Sequence, residues 1–378
     1  MQSRLRYGMV GGAGESYGMS HRQAAALSND YELVCGAFSR DLERSIAVNE
    51  AENLAISSQR IYHSYQELIQ TEASLPIDTR MQVLAIVTPN NSHFAIAKMA
   101  IEHGFDIIIE KPITCTLAEA EALKILLETH QKKCLVGFVN SGFPILQSAK
   151  DLLASDELGA IRIANISYLQ GWLSQVTDNP RARWRMDPKI SGPAGTLADL
   201  GSHAFHLLEY VTGLEAKQLF AQLSRLHPEH VLDDYANVQL QFNAQTQGQL
   251  QVSQVATGEA NNNFSLAVYC AEGSLKWHHQ NPNELLVTKN DQLECLTLDK
   301  LQPGCMINTA QNDRLMALAR LYKNFARDLN GQNGGYYPSI AEGVRNMAFI
   351  EAALASNRTQ QVCSIEKADC RSYSKLFN

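Results

Sequence analysis

The chain has 378 residues, 45% of them hydrophobic and 19% charged, with 32 basic residues against 39 acidic ones and a formal charge of -7. At roughly 150 residues per domain this length predicts two domains, and the composition excludes general disorder. No Lys/Arg block exists to track a phosphate backbone, which argues against a nucleic-acid partner, and no run of about 18 apolar residues exists to cross a membrane. The N-terminus enters a strand-like segment without the apolar stretch of a signal peptide, so a cytoplasmic protein is expected. The 8 cysteines form no C-x-x-C pair, and they are read as reduced and structural, with no metal site.

From Leu5 to about Val139, short β-branched or apolar runs alternate with helix-length amphipathic stretches, the pattern of βαβ units and a parallel sheet. The predicted strands are Arg6 to Gly11, Glu32 to Phe38, Gln82 to Thr88, Phe105 to Glu110 and Lys133 to Phe138. Val83 to Val87 is apolar on both faces, as a central parallel strand requires. Around Pro144 the pattern changes. After a helix to about Ser155 the chain alternates with a period of two: Val238, Leu240 and Phe242 interleave with Gln239, Gln241 and Asn243, and Phe264, Leu266 and Val268 repeat the pattern. This predicts an open, largely antiparallel sheet with one buried face. Two closing helices follow, about Asp313 to Leu329 and Ser339 to Ala355, the second starting after Pro338. The expected architecture is α/β: a parallel-sheet domain over residues 1–140 and a second domain on an open, largely antiparallel sheet over residues 141–378.

The first strand runs into Gly11-Gly12-Ala13-Gly14-Glu15-Ser16-Tyr17-Gly18 and then a helix. This is one residue longer than the usual dinucleotide fingerprint. The exposed backbone N–H groups of Gly12, Gly14, Glu15, Ser16 and Gly18, with the helix N-terminus, suit a pyrophosphate. The plainer alternative is a glycine-rich turn with no ligand. At the end of the second strand, where a carboxylate would read the ribose of NAD, stands Phe38-Ser39-Arg40-Asp41. Arg40 tilts the choice between NAD and NADP toward NADP, the alternative being a solvated arginine with Asp41 capping the next helix.

Thr88-Pro89-Asn90-Asn91-Ser92-His93 and Glu110-Lys111-Pro112 follow two successive buried strands, at the edge where open α/β sheets bind ligands. Further on, Leu200, Ala204, Leu207, Leu208 and Val211 form the apolar stripe of an amphipathic helix. Asp199 and His203 are four apart on a separate ridge, and a carboxylate beside an imidazole raises its basicity and fixes its tautomer, which makes a general base. The alternative is a capping box, Thr196-x-x-Asp199, with His203 accompanying it. His206 and Tyr210 continue the ridge and are read as structural.

In their order and spacing, the glycine loop, Thr88-Pro89-Asn90 with His93, Glu110-Lys111-Pro112 and Asp199-x-Gly201-x-His203 resemble the glucose-fructose oxidoreductase / inositol dehydrogenase (Gfo/Idh/MocA) family over essentially the whole chain. The branch carrying Trp184-Arg185-x-Asp187-Pro188, Ser191-Gly192-Pro193 and a Tyr337-Pro338 helix is especially similar. The resemblance implies a Rossmann domain over residues 1–140, an α/β domain for substrate binding and oligomerisation over residues 141–378, and NAD(P)-linked oxidation or reduction of sugars, sugar derivatives or cyclitols. Lys111, Asp199 and His203 match the catalytic set and the substrate's contacts, and Trp184 and Arg185 match residues that reach toward the cofactor. Close relatives often carry His or Tyr around Phe138-Val139-Asn140, and His-Pro-Glu-Gly where this chain reads Gln311-Asn312-Asp313-Arg314. These two segments, and Asn140 in particular, are expected to border the sugar pocket. Two other activities are compatible with the resemblance, a redox-assisted glycosidase and a non-catalytic sugar or nucleotide sensor. The exposed sheet face suits a homodimer or homotetramer.

Overall fold

The computed structural model describes residues 4–13, 17–175, 184–258, 262–302 and 313–365. The chain forms two compact units, one of Met1–Thr114, Ala118–Gly142 and Arg314–Val344, the other of Cys115–Leu117, Phe143–Asp313 and Arg345–Asn378.

In the first unit all five expected strands form: β1 (Leu5–Gly11), β2 (Tyr31–Ala37), β3 (Val83–Val87), β4 (Asp106–Ile109) and β5 (Cys134–Val136). They lie parallel in the order β2-β1-β3-β4-β5. Val83 to Ile86 and Ile107 to Ile109 are buried, as strands covered on both faces must be. The connecting helices are α1 (Tyr17–Ser28), α2 (Leu42–Ala51), α3 (Tyr65–Ser74), α4 (His93–Glu102) and α5 (Leu117–Thr129). Asp41 does cap α2, accepting from the Glu43 N–H at 3.1 Å, and Ser64 caps α3 through the Glu67 N–H at 3.1 Å. Because sequence order reverses between β1 and β3, the crevice at their carboxyl ends is the natural ligand position of this sheet.

The second unit opens with α6 (Pro144–Ala154), whose proline occupies the first turn, where no N–H is required. It is built on nine strands: β6 (Ile161–Leu169), β7 (Gln218–Ser224), β8 (Tyr235–Gln241), β9 (Gln247–Ser253), β10 (Asn263–Cys270), β11 (Gly273–His278), β12 (Glu284–Lys289), β13 (Gln292–Thr297) and the short β14 (Cys363–Ser364). Their order is β13-β12-β11-β10-β6-β9-β8-β7-β14. Every pairing is antiparallel except β6 with β9. The period-two reading holds: Ala236, Val238 and Leu240 are buried while Gln239 is exposed, and Phe264, Leu266 and Val268 are buried on β10. One face is packed by α6 and by α7 (Ser202–Thr212). The other carries Asn165, Ser167, Gln249, Gln251, Tyr269 and Lys276 around a shallow concavity of about 510 Å³.

The closing helices are α8 (Asp313–Leu329) and α9 (Ile340–Thr359). The first packs into the parallel-sheet unit: Tyr322 is fully buried against Tyr31, which donates to its carbonyl at 3.0 Å. Before α9, the Ser339 N–H donates to the Glu342 carboxylate at 2.9 Å, half of a capping box. No helix among the described residues is long and apolar enough to cross a membrane. The described cysteines are free thiols.

Candidate active site

In the parallel-sheet unit the site is built from three adjacent strand ends. Gly11 pairs with Val87 across β1 and β3, and the Glu110 N–H just past β4 donates to the Ile86 carbonyl at 3.1 Å. The glycine turn, the Thr88 segment and Lys111 are therefore neighbours on one edge. Gly11 and Gly12 have φ of 81° and 80°, values that favour glycine. A Cβ on Gly18 would stand 2.1 Å from the Gly12 carbonyl oxygen, so α1 can begin this close to the turn only because both positions are glycine. Gly14, Glu15 and Ser16 lie outside the described residues.

The loop is anchored by two side chains on α1 that sequence reading passes over. Arg22, 4% exposed, donates through Nη1 to the Gly12 carbonyl at 3.0 Å, pairs with both carboxylate oxygens of Glu52 through Nε and Nη2, and lies over the Phe38 ring. His21 bridges Tyr322 Oη at 2.7 Å and Glu110 Oε1 at 2.8 Å. Gly137 leaves room for that carboxylate, since a Cβ there would stand 2.5 Å from Oε1. Burial works against the charge of Glu110, but His21, Lys111 and His93 overcome it and hold the acid below its ordinary range. Lys111 itself is 7% exposed.

His93 is fully buried, with Nε2 2.8 Å from the Thr88 carbonyl and Nδ1 3.0 Å from the Pro112 carbonyl. It thus ties the segment after β3 to the segment after β4. A neutral ring donates to only one of these oxygens. Burial, the largest influence, lowers its basicity while the two carbonyls and Glu110 oppose the shift. Ser92 Oγ donates to the Pro89 carbonyl at 2.8 Å and lies 2.7 Å from Thr88 Oγ1, whose hydroxyl can donate to it, and Asn90 is buried beside them. At the end of β2, the Ser39 N–H donates to Ser45 Oγ at 2.9 Å, and Arg40 is exposed. Past β5, Asn140 is 2% exposed, and its Nδ2 finds no acceptor among the described residues.

In the second unit Asp199 lies in a π-helical turn, Leu197–Gly201, that leads directly into α7. Such turns recur at functional sites. The amphipathic expectation needs correcting here: His203, His206 and Tyr210 are buried along with the apolar stripe, and Glu209 is the one α7 residue that is not. The helix is wrapped on all sides by sheet and by neighbouring helices. Nor does Thr196 form a capping box. Its hydroxyl donates to Gln254 Oε1 at 2.8 Å, and Gln254 Nε2 donates to Asp199 Oδ2 at 2.7 Å. The start of the turn is held by Asp233, which accepts from the Gly195 and Leu197 N–H groups at 2.7 Å each. Arg185 stacks over Trp184 and brings Nε to 3.7 Å from Asp199 Oδ2. Asn346 fixes the Ser202 carbonyl at 2.8 Å, next to His203. Gln311 and Asn312 lie outside the described residues.

Burial pushes His206 down to about 3, with the Lys150 charge adding to the effect. It is a neutral ring stacked on Tyr210, as the structural reading requires. No cluster of His, Cys, Asp or Glu among the described residues could hold a metal ion.

Residues 5–138 match an oxidoreductase family with an NAD-binding Rossmann fold, and residues 146–276 match the GFO/IDH/MocA C-terminal domain. The chain belongs to the GFO/IDH/MocA oxidoreductase family. Among solved structures, an inositol dehydrogenase homolog complexed with NAD+ from Azotobacter vinelandii is similar over 96% of this chain and 98% of its own, at 27% identity and a TM-score of 0.90. An oxidoreductase from Sinorhizobium meliloti is 30% identical over 96% of this chain and 99% of its own, with a TM-score of 0.85. By sequence, the uncharacterized oxidoreductase YfiI of Bacillus subtilis is 28% identical over 93% of this chain and 94% of its own. A levoglucosan dehydrogenase of Pseudarthrobacter phenanthrenivorans is 26% identical over 75% and 76%. As a GFO/IDH/MocA member the protein is an oxidoreductase with an NAD-binding Rossmann domain, and the Gly12–Gly18 packing at the start of α1 fits a dinucleotide.

Proposed function

We propose that the protein moves a hydride between a secondary alcohol of a sugar, sugar derivative or cyclitol and a nicotinamide cofactor. The observation that carries this reading is the buried Lys111 at the strand edge that also holds the glycine turn. When bound, the nicotinamide supplies the hydride acceptor or donor. In the oxidative direction His203 takes the hydroxyl proton, Asp199 orients it, and Lys111 holds the oxygen and balances its developing negative charge. The buried Nδ2 of Asn140 offers a donor to a second oxygen of the polyol.

The turn of Gly12 to Gly18 and the N-terminus of α1 would hold the pyrophosphate. Thr88, Pro89 and Asn90 would line the nicotinamide side, with His93 and Glu110 keeping that edge in shape. Trp184 and Arg185 would bind the cofactor, and Arg185 also faces Asp199. The exposed Arg40 at the end of β2, with no carboxylate at that strand end, favours NADP over NAD. The open face of the second sheet, polar and concave, would pair copies of the chain into a dimer or tetramer. Free thiols suit the reducing cytoplasm.

The test is a screen of polyols, sugars and glycosides with NAD and NADP, read at the nicotinamide absorbance and by product analysis. Net accumulation of reduced cofactor with a ketone product supports the reading. A freed aglycone without net reduction would replace it with a redox-assisted glycosidase, and tight sugar binding with no product would replace it with a sensor.

A further inference from the structure

One buried side chain beside the turn of Asp199 has a role that neither sequence nor family likeness assigns. Gln254 follows β9 and is 3% exposed. Its backbone is pinned on both sides: its N–H donates to the Asp234 carbonyl at 3.0 Å and its carbonyl accepts from the Leu173 N–H at 3.0 Å. Its side chain spans two groups of the turn that carries Asp199. Thr196, fully buried, donates its hydroxyl to Oε1 at 2.8 Å, and Nε2 donates to Asp199 Oδ2 at 2.7 Å.

Only one orientation of this amide is compatible with a carboxylate at that distance. Turned over, it would set Oε1 against Oδ2, two acceptors with no proton between them. The Thr196 hydroxyl, which can donate or accept, fits this orientation by donating to Oε1. We propose that Gln254 is the positioning residue of Asp199, holding its carboxylate in one rotamer, four residues before His203, through a fixed Thr196–Gln254–Asp199 relay. In this proposal Gln254 acts through Asp199, to which it donates. This rests on the functional reading above for its catalytic consequence, whereas the relay itself is a structural fact.

Among the described contacts, the charged and titratable groups near Asp199 include Arg185 at 3.7 Å, His203 on the next turn, Asp233 at the start of the same turn, and Asp234, which is paired with His230 at 2.8 Å. None of them replaces a neutral donor at Oδ2. Gln254→Glu therefore has a distinctive outcome. It keeps the shape and an acceptor for Thr196 but sets a second carboxyl against Oδ2, and two such groups cannot both ionise, so the pair keeps a proton at low pH and repels at high pH.

The experiment compares wild type, Gln254→Glu and Gln254→Leu by kcat/KM and by Tm from about pH 6 to about pH 8.5. For Gln254→Glu, the activity ratio to wild type should rise on acidification by about 10-fold or more, and its Tm deficit should shrink in step. Gln254→Leu should lose kcat by roughly 10-fold at every pH, with the KM for nicotinamide unchanged, because a misplaced carboxylate costs turnover and not cofactor binding. A constant ratio and a constant Tm deficit for Gln254→Glu would overturn the proposal. The Tm signature needs no turnover, so its appearance in a protein that reduces no nicotinamide would keep the relay and discard the oxidoreductase mechanism. Should Gln254→Leu fail to fold, the glutamate variant alone decides.

Discussion

Lys111 and Asp199 are held in opposite ways. Around Lys111 the neighbours are ionisable: Glu110 beside it, His21 bridging Glu110 to Tyr322, and His93 clamped between two backbone carbonyls. At Asp199 Oδ2 a neutral amide donates at 2.7 Å, and that amide's own partner is a neutral hydroxyl, while Arg185 Nε stands at 3.7 Å. A cation that must meet a developing negative charge is best fixed in a buried framework that already balances charge, since an unpaired buried charge is costly. In the proposed mechanism the Asp199 carboxylate needs a fixed rotamer, and a neutral donor supplies it without adding a charge beside it.

The contrast predicts that the two regions fail independently. Gly18→Ala is the severest test of the first, because its Cβ would meet the Gly12 carbonyl oxygen at 2.1 Å. Nicotinamide affinity should fall by on the order of 10²-fold as the turn is forced off the start of α1, and the melting of the second unit should be unaffected. Normal affinity would mean that the turn does not hold the cofactor. A smaller effect is expected of Arg40→Ala, which should weaken NADP by roughly 10-fold through loss of a charge-assisted hydrogen bond and leave NAD unchanged. Equal loss for both cofactors would show that Arg40 does not read the 2'-phosphate.

The smallest effect belongs to the second region alone. His206 is depressed to about 3 in the folded protein by burial and then by Lys150, while the unfolded chain keeps a value near 6.5. The unfolded state therefore binds the extra proton first, so this contribution to stability is complete above about pH 6.5 and is lost as pH falls toward 3. His206→Phe should flatten the fall in Tm between about pH 7 and about pH 5 by a few degrees. An unchanged slope would show that the acid sensitivity lies elsewhere.

Local pattern made much of this legible in the sequence. The five parallel strands, the alternation on β8 and β10, the cap at Asp41 and the strand-end position of Lys111 each follow from a short window of residues. What it could not show are partners far apart in the chain. Tyr322 meets His21 from 301 residues away, and Gln254 reaches Asp199 across 55; neither pairing leaves a periodic trace. The π-helical turn was also invisible, because Leu200, Ala204 and Leu207 fit an ordinary helix equally well. The burial of α7 on nearly every side comes from what packs around it, and the sequence pattern showed its polar positions His203, His206 and Tyr210 only as a ridge apart from the apolar stripe.

The most direct measurement of the central claim is turnover and nicotinamide affinity in Lys111→Ala, taken side by side on the substrate found by screening. With Lys111 holding the reacting oxygen, kcat should fall by on the order of 10²- to 10³-fold, and the cofactor, held by the Gly12 to Gly18 turn, should bind as in the wild type. Near-normal turnover would contradict the account, and loss of cofactor binding along with turnover would reassign Lys111 to the cofactor or the fold.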